Sequence, residues 1–115
     1  MHTLSASVLR FVGAGDDPRS CRFSQMMEQR LENVLSEAQA KVLNTHSRLS
    51  VQMLSVSHVA GSPAVSLIYT VRNGTVFLNG TAASNLLGRL SAEVVGYFLF
   101  YPPLIIAERK LQFSF

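Results

Sequence analysis

The sequence predicts an α+β fold with element order β-α-β-β-α-β, in which two helices cover one face of a four-stranded antiparallel sheet. Three observations carry that prediction. Apolar residues recur every three or four positions over Phe23–Leu43 and again from Thr81 to about Phe100, the spacing of amphipathic helices. Between them, "LSVQMLSVSHV" and "AVSLIYTV" flank the turn former "AGSP", which reads as a β-hairpin. Finally, β-rich segments stand at both ends of the chain, so each helix lies between strands.

Taken in order, Thr3–Val12 is β-branched and apolar and stops at the turn cluster "GAGDDP". The first helix carries Phe23, Met27, Leu31, Val34, Ala38 and Val42 on one stripe, with Ser20 or Ser24 as its cap. Glu28, Arg30, Glu32, Glu37 and Lys41 fall on the other faces and read as a solvated ladder of charges. Met26 and Met27 read as core or core border. In Leu49–Val59, Leu49, Val51 and Met53 share a face, with Gln52 and His58 opposite.

Ala64–Val71 is the returning strand. Asn73-Gly74 is the next turn, and "TVFL" is either a short additional strand or the approach to the second helix. That helix is expected to be capped by Thr81 and to bury Leu86, Leu90, Val94, Tyr97 and Phe98. Pro102-Pro103 stops it. "LIIAERKLQFSF" then forms the last strand, with Leu104–Ala107 its most buried part.

At 115 residues, 48% hydrophobic and 15% charged, the chain is a single domain, residues 1–115, able to form a core without staples. Its +3 charge comes from scattered Lys and Arg with no basic run, which disfavours nucleic acid as a partner. Cys21 is alone and excludes an internal disulfide. His2, His46 and His58 lack metal-ligand spacing, Asp16-Asp17 reads as a solvated turn, and no phosphate cradle, nucleophile elbow or triad is present. No metal, cofactor or enzymatic activity is expected. The N-terminus lacks a basic leader, and the longest apolar run, 94–107, is 14 residues interrupted by two prolines. That is short of the roughly 20 residues of a spanning helix. Membrane attachment would have to come from a transmembrane helix elsewhere in a longer parent chain.

Two motifs carry the remaining chemistry. Gly61-Ser62-Pro63-Ala64-Val65 occupies the bend between the second and third strands. In that position it resembles the Gly-Ser corner of SEA modules, which share the ferredoxin-like β-α-β-β-α-β sandwich. The resemblance implies an autocleavage candidate at Gly61 and Ser62: the hydroxyl attacks the Gly carbonyl, assisted by twist in the peptide bond. Pro63 biases Ser62 toward extended backbone, and the plain reading is a hairpin corner. Asn73-Gly74-Thr75 and Asn79-Gly80-Thr81 match the N-glycosylation pattern, so Asn73 and Asn79 are the acceptor candidates; as turn pairs they also have a purely structural reading.

A longer likeness runs from Cys21 to Glu108, "CRFSQMMEQRLENVLSEAQAKV…" to "…YPPLIIAE". This segment resembles an ectodomain segment of a KIAA-series family of large vertebrate membrane proteins. The likeness implies a Ser/Thr-rich extracellular part, this domain near the membrane, then a transmembrane helix and a cytoplasmic tail. Residues 1–20 and the tail "RKLQFSF" depart from it, which implies a fragment or an alternative product without the anchor.

The expected function is a non-catalytic extracellular juxtamembrane module with unidentified protein partners. One alternative is a module that cleaves itself at Gly61-Ser62. Another is an intracellular ferredoxin-like domain binding RNA or another ligand, for which Phe11 and Tyr69 are the aromatics available on the central strands.

Overall fold

The computed structural model describes residues 3–44 and 47–111. His2, His46 and the last residues of the expected closing strand lie outside them. The fold is α+β, with three helices and a five-stranded antiparallel sheet. Strand β1 (Thr3–Leu9) leads to helix α1 (Cys21–Ala38), the hairpin β2 (Leu49–His58) and β3 (Val65–Asn73), and the short β4 (Val76–Leu78). Helices α2 (Gly80–Leu87) and α3 (Ala92–Leu99) follow, and β5 (Pro103–Leu111) closes the chain. The sheet order is β2-β3-β1-β5. β4 pairs with Val71–Asn73 on the edge of β3 that β2 leaves free, so it continues the line of β1.

Two expectations are corrected. The sheet has five strands rather than four, because "VFL" after Asn73-Gly74 does fold back on β3. Its loop is Gly74-Thr75, with Gly74 at φ +65, the left-handed conformation that the first loop position of a type II′ hairpin requires. The second helix is two helices. Gly88 ends α2, two tight turns follow at Arg89 and Leu90, and Ser91 caps α3 by accepting from Val94 N at 3.2 Å. Glu93 in the first turn of α3 suits the positive end of its dipole.

Side-chain period and strand register explain the core. Val65, Leu67, Tyr69 and Val71 alternate on one face of β3, and the pairing sets Leu9, Ser7 and Ser5 of β1 on the same side. Phe23, Met27, Leu31, Val34, Leu35 and Ala38 of α1 pack on that face, joined by Ala83, Leu86 and Leu87 of α2 and Val95 and Leu99 of α3. All three helices therefore share one core on one face. Each large side chain fully withdrawn from water contributes about 1.5–3 kcal/mol.

α1 begins as the sequence predicts, with the Ser20 hydroxyl accepting from Phe23 N at 3.1 Å. It ends in a π-helical turn, Gln39–Leu43, stopped by Asn44 in the left-handed region (φ 51). That widened turn rotates Val42 out of the buried stripe, so it is exposed rather than core. A bulge at Leu54 shifts β2 by one residue: Met53 pairs with Tyr69 but Ser55 with Ile68. Val56 thereby returns to the core side. His58 pairs with Val65 on that side too, not opposite Leu49 and Val51, although it remains exposed beyond the helices.

Candidate functional site

The bend between β2 and β3 is a relaxed corner. Ser62 N donates to Val59 O at 3.1 Å, and Gly61 at φ +71 fills the third position of this turn, where a left-handed residue is needed. Ala64 N donates to Ser62 Oγ at 3.1 Å, and Val59 N to Ala64 O at 3.0 Å. Gly61 and Ser62 are both exposed. The Ser62 oxygen thus accepts from the chain ahead of it, and no hydrogen bond joins it to His58 among the described residues. A hydroxyl without a base is a poor nucleophile.

Asn73 and Asn79 are both exposed, one at each end of β4. Asn79, rather than Thr81, caps α2: its Oδ1 accepts from Thr81 N at 2.7 Å and Ala82 N at 3.3 Å. A glycan attaches through Nδ2, so cap and acceptor are different atoms of one side chain. Phe77 of β4 is half exposed, with the Arg72 guanidinium 5.2 Å from its ring centre.

A third region was not legible in the sequence. Tyr97, placed there in the buried stripe, is 75% exposed, Phe100 is 69% exposed, and Leu104 and Ile105 are also at the surface. Phe100 closes α3 at φ 67, a left-handed conformation that costs a bulky residue about 1–2 kcal/mol. Arg30 of α1 holds this end in place. Its guanidinium donates to Leu99 O at 3.2 Å, one of the carbonyls left unpaired at a helix end, and lies 4.2 Å from the Phe100 ring centre. Tyr101 donates its hydroxyl to Asp16 and meets Phe11 edge to face at 6.2 Å. Burial raises the Tyr101 phenol pKa, and the bond to Asp16 adds to the shift. Asp16 is therefore a structural acceptor, not a freely solvated turn residue. Arg10, Glu93, Gly96, Phe100, Tyr101 and Pro103 line an open groove of about 470 Å³ beside these rings.

Two further sets of polar residues escaped the sequence reading. On the core face, Ser7 Oγ donates to Ile106 O at 2.6 Å and lies 2.8 Å from the Tyr69 hydroxyl. With the serine proton used on the carbonyl, the tyrosine must be the donor. Burial pushes the Tyr69 phenol up to about 12, the bond to Ser7 pulling it slightly back. Tyr69 is 0% exposed on the helix-covered face, so it offers no ring for stacking a base. At the sheet edge, Glu32 accepts from Val51 N at 3.0 Å and Glu28 from Met53 N at 2.7 Å. Among the described residues, only Glu37 and Lys41 form a pair of the expected ladder, 3.8 Å apart with Lys41 exposed and Glu37 partly so, and such a pair adds little.

Among the described residues no three His, Cys, Asp or Glu side chains gather as a metal site, and no helix is long and apolar enough to cross a membrane. Residues 2–114 match the family profile described as UPF0606 protein KIAA1549 alpha/beta domain 2. The UPF0606 protein KIAA1549L of Homo sapiens is 54% identical over 102 residues, which is 89% of this chain. The match covers 5% of that relative's length. A profile match spanning the fold and an identity this high across it lead to one conclusion: the chain belongs to the KIAA1549 family of UPF0606 proteins.

Proposed function

We propose that this chain is a non-catalytic module of the extracellular, membrane-proximal part of a large membrane glycoprotein, with a structural or contact-making role. The observation that carries the reading is the placement of both Asn-Gly-Thr triplets. Their asparagines stand exposed at either end of β4. The antiparallel order β2-β3-β1-β5 supports a ferredoxin-like, SEA-like topology, with β4 as an addition to it. The small share of the human relative that the domain matches fits a module set within a much longer chain, whose own transmembrane helix would supply the anchor.

The test is expression of the full parent protein in mammalian cells, with and without glycosidase. A mobility shift that disappears in Asn73→Gln/Asn79→Gln is the expected result. Glycosidase-resistant mobility identical to that of the double variant would remove the extracellular placement.

In this reading the Gly61–Ser62 bond stays whole. The Ser62 oxygen already accepts from Ala64 N, and Gly61 adopts its φ without steric cost. Denaturing electrophoresis of the purified chain should show one band, unchanged in Ser62→Ala. Two fragments that merge into one band in Ser62→Ala would instead establish the self-cleaving module.

A further inference from the structure

We propose that Asn73-Gly74 is a self-modifying site, at which the chain loses ammonia and passes through a succinimide to aspartate and isoaspartate. The chain holds two Asn-Gly-Thr triplets of identical chemistry, 73–75 and 79–81, and the fold treats them differently. At the first, Asn73 ends β3 and Gly74 opens the loop that pairs Asn73 with Val76. Both residues are exposed, and a side chain added at Gly74 would meet no atom within 4 Å. In such a loop the ladder bonds run between the flanking residues, which leaves the first loop amide out of them. Among the described residues Gly74 N donates to no acceptor and the Asn73 side chain makes no hydrogen bond. At the second triplet the same side-chain amide is engaged. Asn79 Oδ1 accepts from Thr81 N at 2.7 Å and Ala82 N at 3.3 Å as the cap of α2, and Gly80 is buried in the first turn.

The reaction needs water and nothing else. Gly74 N attacks Cγ of Asn73, and an N–Cγ bond forms as the Cγ–Nδ2 bond breaks. The Gly74 amide proton passes through solvent to Nδ2, which leaves as ammonia. Water then opens the cyclic imide, at Cγ to give aspartate or at the main-chain carbonyl to give isoaspartate. An amide nitrogen is a weak nucleophile until a base takes its proton, so the reaction quickens as pH rises. Reaching Cγ requires the Asn73–Gly74 peptide to swing out of the extended conformation. That motion breaks only the end rung of a three-rung ladder, a local opening of low cost. Gly74 serves both needs, since it holds φ +65 without strain and has no side chain to hinder the approach. At Asn79, held at ψ 143, the same swing would undo the cap that starts α2. Isoaspartate lengthens the main chain at the end of β3, so β4 can no longer keep its register with Val71–Asn73.

This inference goes beyond the extracellular reading and does not depend on it, because the chemistry runs in any compartment. Its failure would leave the glycosidase test untouched. The experiment is incubation of the purified, unglycosylated 115-residue chain at mildly alkaline pH, with peptide mapping by mass spectrometry at intervals. In the folded chain Asn73 should convert about tenfold or more faster than Asn79. In urea the two rates should come within about threefold of each other, because the fold no longer separates the triplets. The isoaspartate form should lose hydrogen-exchange protection at the β4 amides while Tyr69 keeps its own. An Asn73 that stays intact in the folded chain, or equal rates at both asparagines there, overturns the proposal.

Discussion

Tyr69→Ala is expected to cost about 3–5 kcal/mol, the range for removing a large ring from a packed core. Against a total stability of about 5–15 kcal/mol for a domain of this kind, that is a large share. The ring stands in the row Val65, Leu67, Tyr69, Val71 and is covered by the helices, with no exposed surface. Tyr69→Phe should cost only about 1 kcal/mol, because Ser7 keeps its bond to Ile106 O and loses one donor. Ser7→Ala should cost more, about 1–3 kcal/mol, since it strands a buried hydroxyl.

The same hydroxyl makes stability depend on alkaline pH. Its pKa is near 10 in the unfolded chain and about 12 in the fold. Between those values the unfolded state has released a proton that the folded state retains, so rising pH favours unfolding. The contribution is fully present below pH 10 and declines as pH rises from 10 through 12, by about 2–3 kcal/mol in all. Urea titrations of parent and Tyr69→Phe over this range would check it. Parallel curves for the two proteins, or a Tyr69→Ala variant within 1 kcal/mol of the parent, would show that the ring is not where the core needs it.

Removing both edge acceptors is expected to have the next largest effect. Glu28→Ala/Glu32→Ala should destabilise by about 2–4 kcal/mol, because a hydrogen bond to a charged group contributes about 1.5–3 kcal/mol and these two are partly exposed. β2 is an outer strand of ten residues with no Lys, Arg, Asp or Glu of its own, the kind of edge that invites a foreign strand. Two carboxylates one helical turn apart on α1 occupy its outward N–H groups at Val51 and Met53. The double variant should therefore lose hydrogen-exchange protection at those two amides first and scatter light on concentration. Glu37→Ala, which removes only the partly exposed pair with Lys41, should do neither. Unchanged protection at Val51 and Met53 would mean that the carboxylates are decoration.

Much of the architecture was legible because periodicity reports burial directly. Phe23, Met27, Leu31, Val34 and Ala38 were read as one stripe and are one stripe. The β2 and β3 hairpin was readable from its turn residues. The second helix was read as continuous although Gly88, Ser91 and Glu93 spell a stop, a cap and an acidic first turn; an unbroken apolar rhythm outweighed those local signals. Placing Tyr97 inside followed from that error, since the break changes which residues face the sheet.

Asn73 and Asn79 could be found from the sequence and prove to be at the surface. The groove could not be found, because Arg10, Glu93 and Phe100 are brought together by the β1 and β5 pairing rather than by any local pattern. For the same reason Glu28 and Glu32 looked like surface charges. Their role exists only once a helix has been laid along a strand.

The pairing of β1 with β5 also has a mechanical meaning. Thr3 lies opposite Leu111, so a longer polypeptide would enter and leave this domain at neighbouring points. Tension drawn through those points pulls across the two strands, along the direction of their hydrogen bonds, and loads the rungs one after another. Such a joint opens like a zipper at low force instead of resisting as a sheared block, which makes this domain an early-yielding element in any tether that contains it.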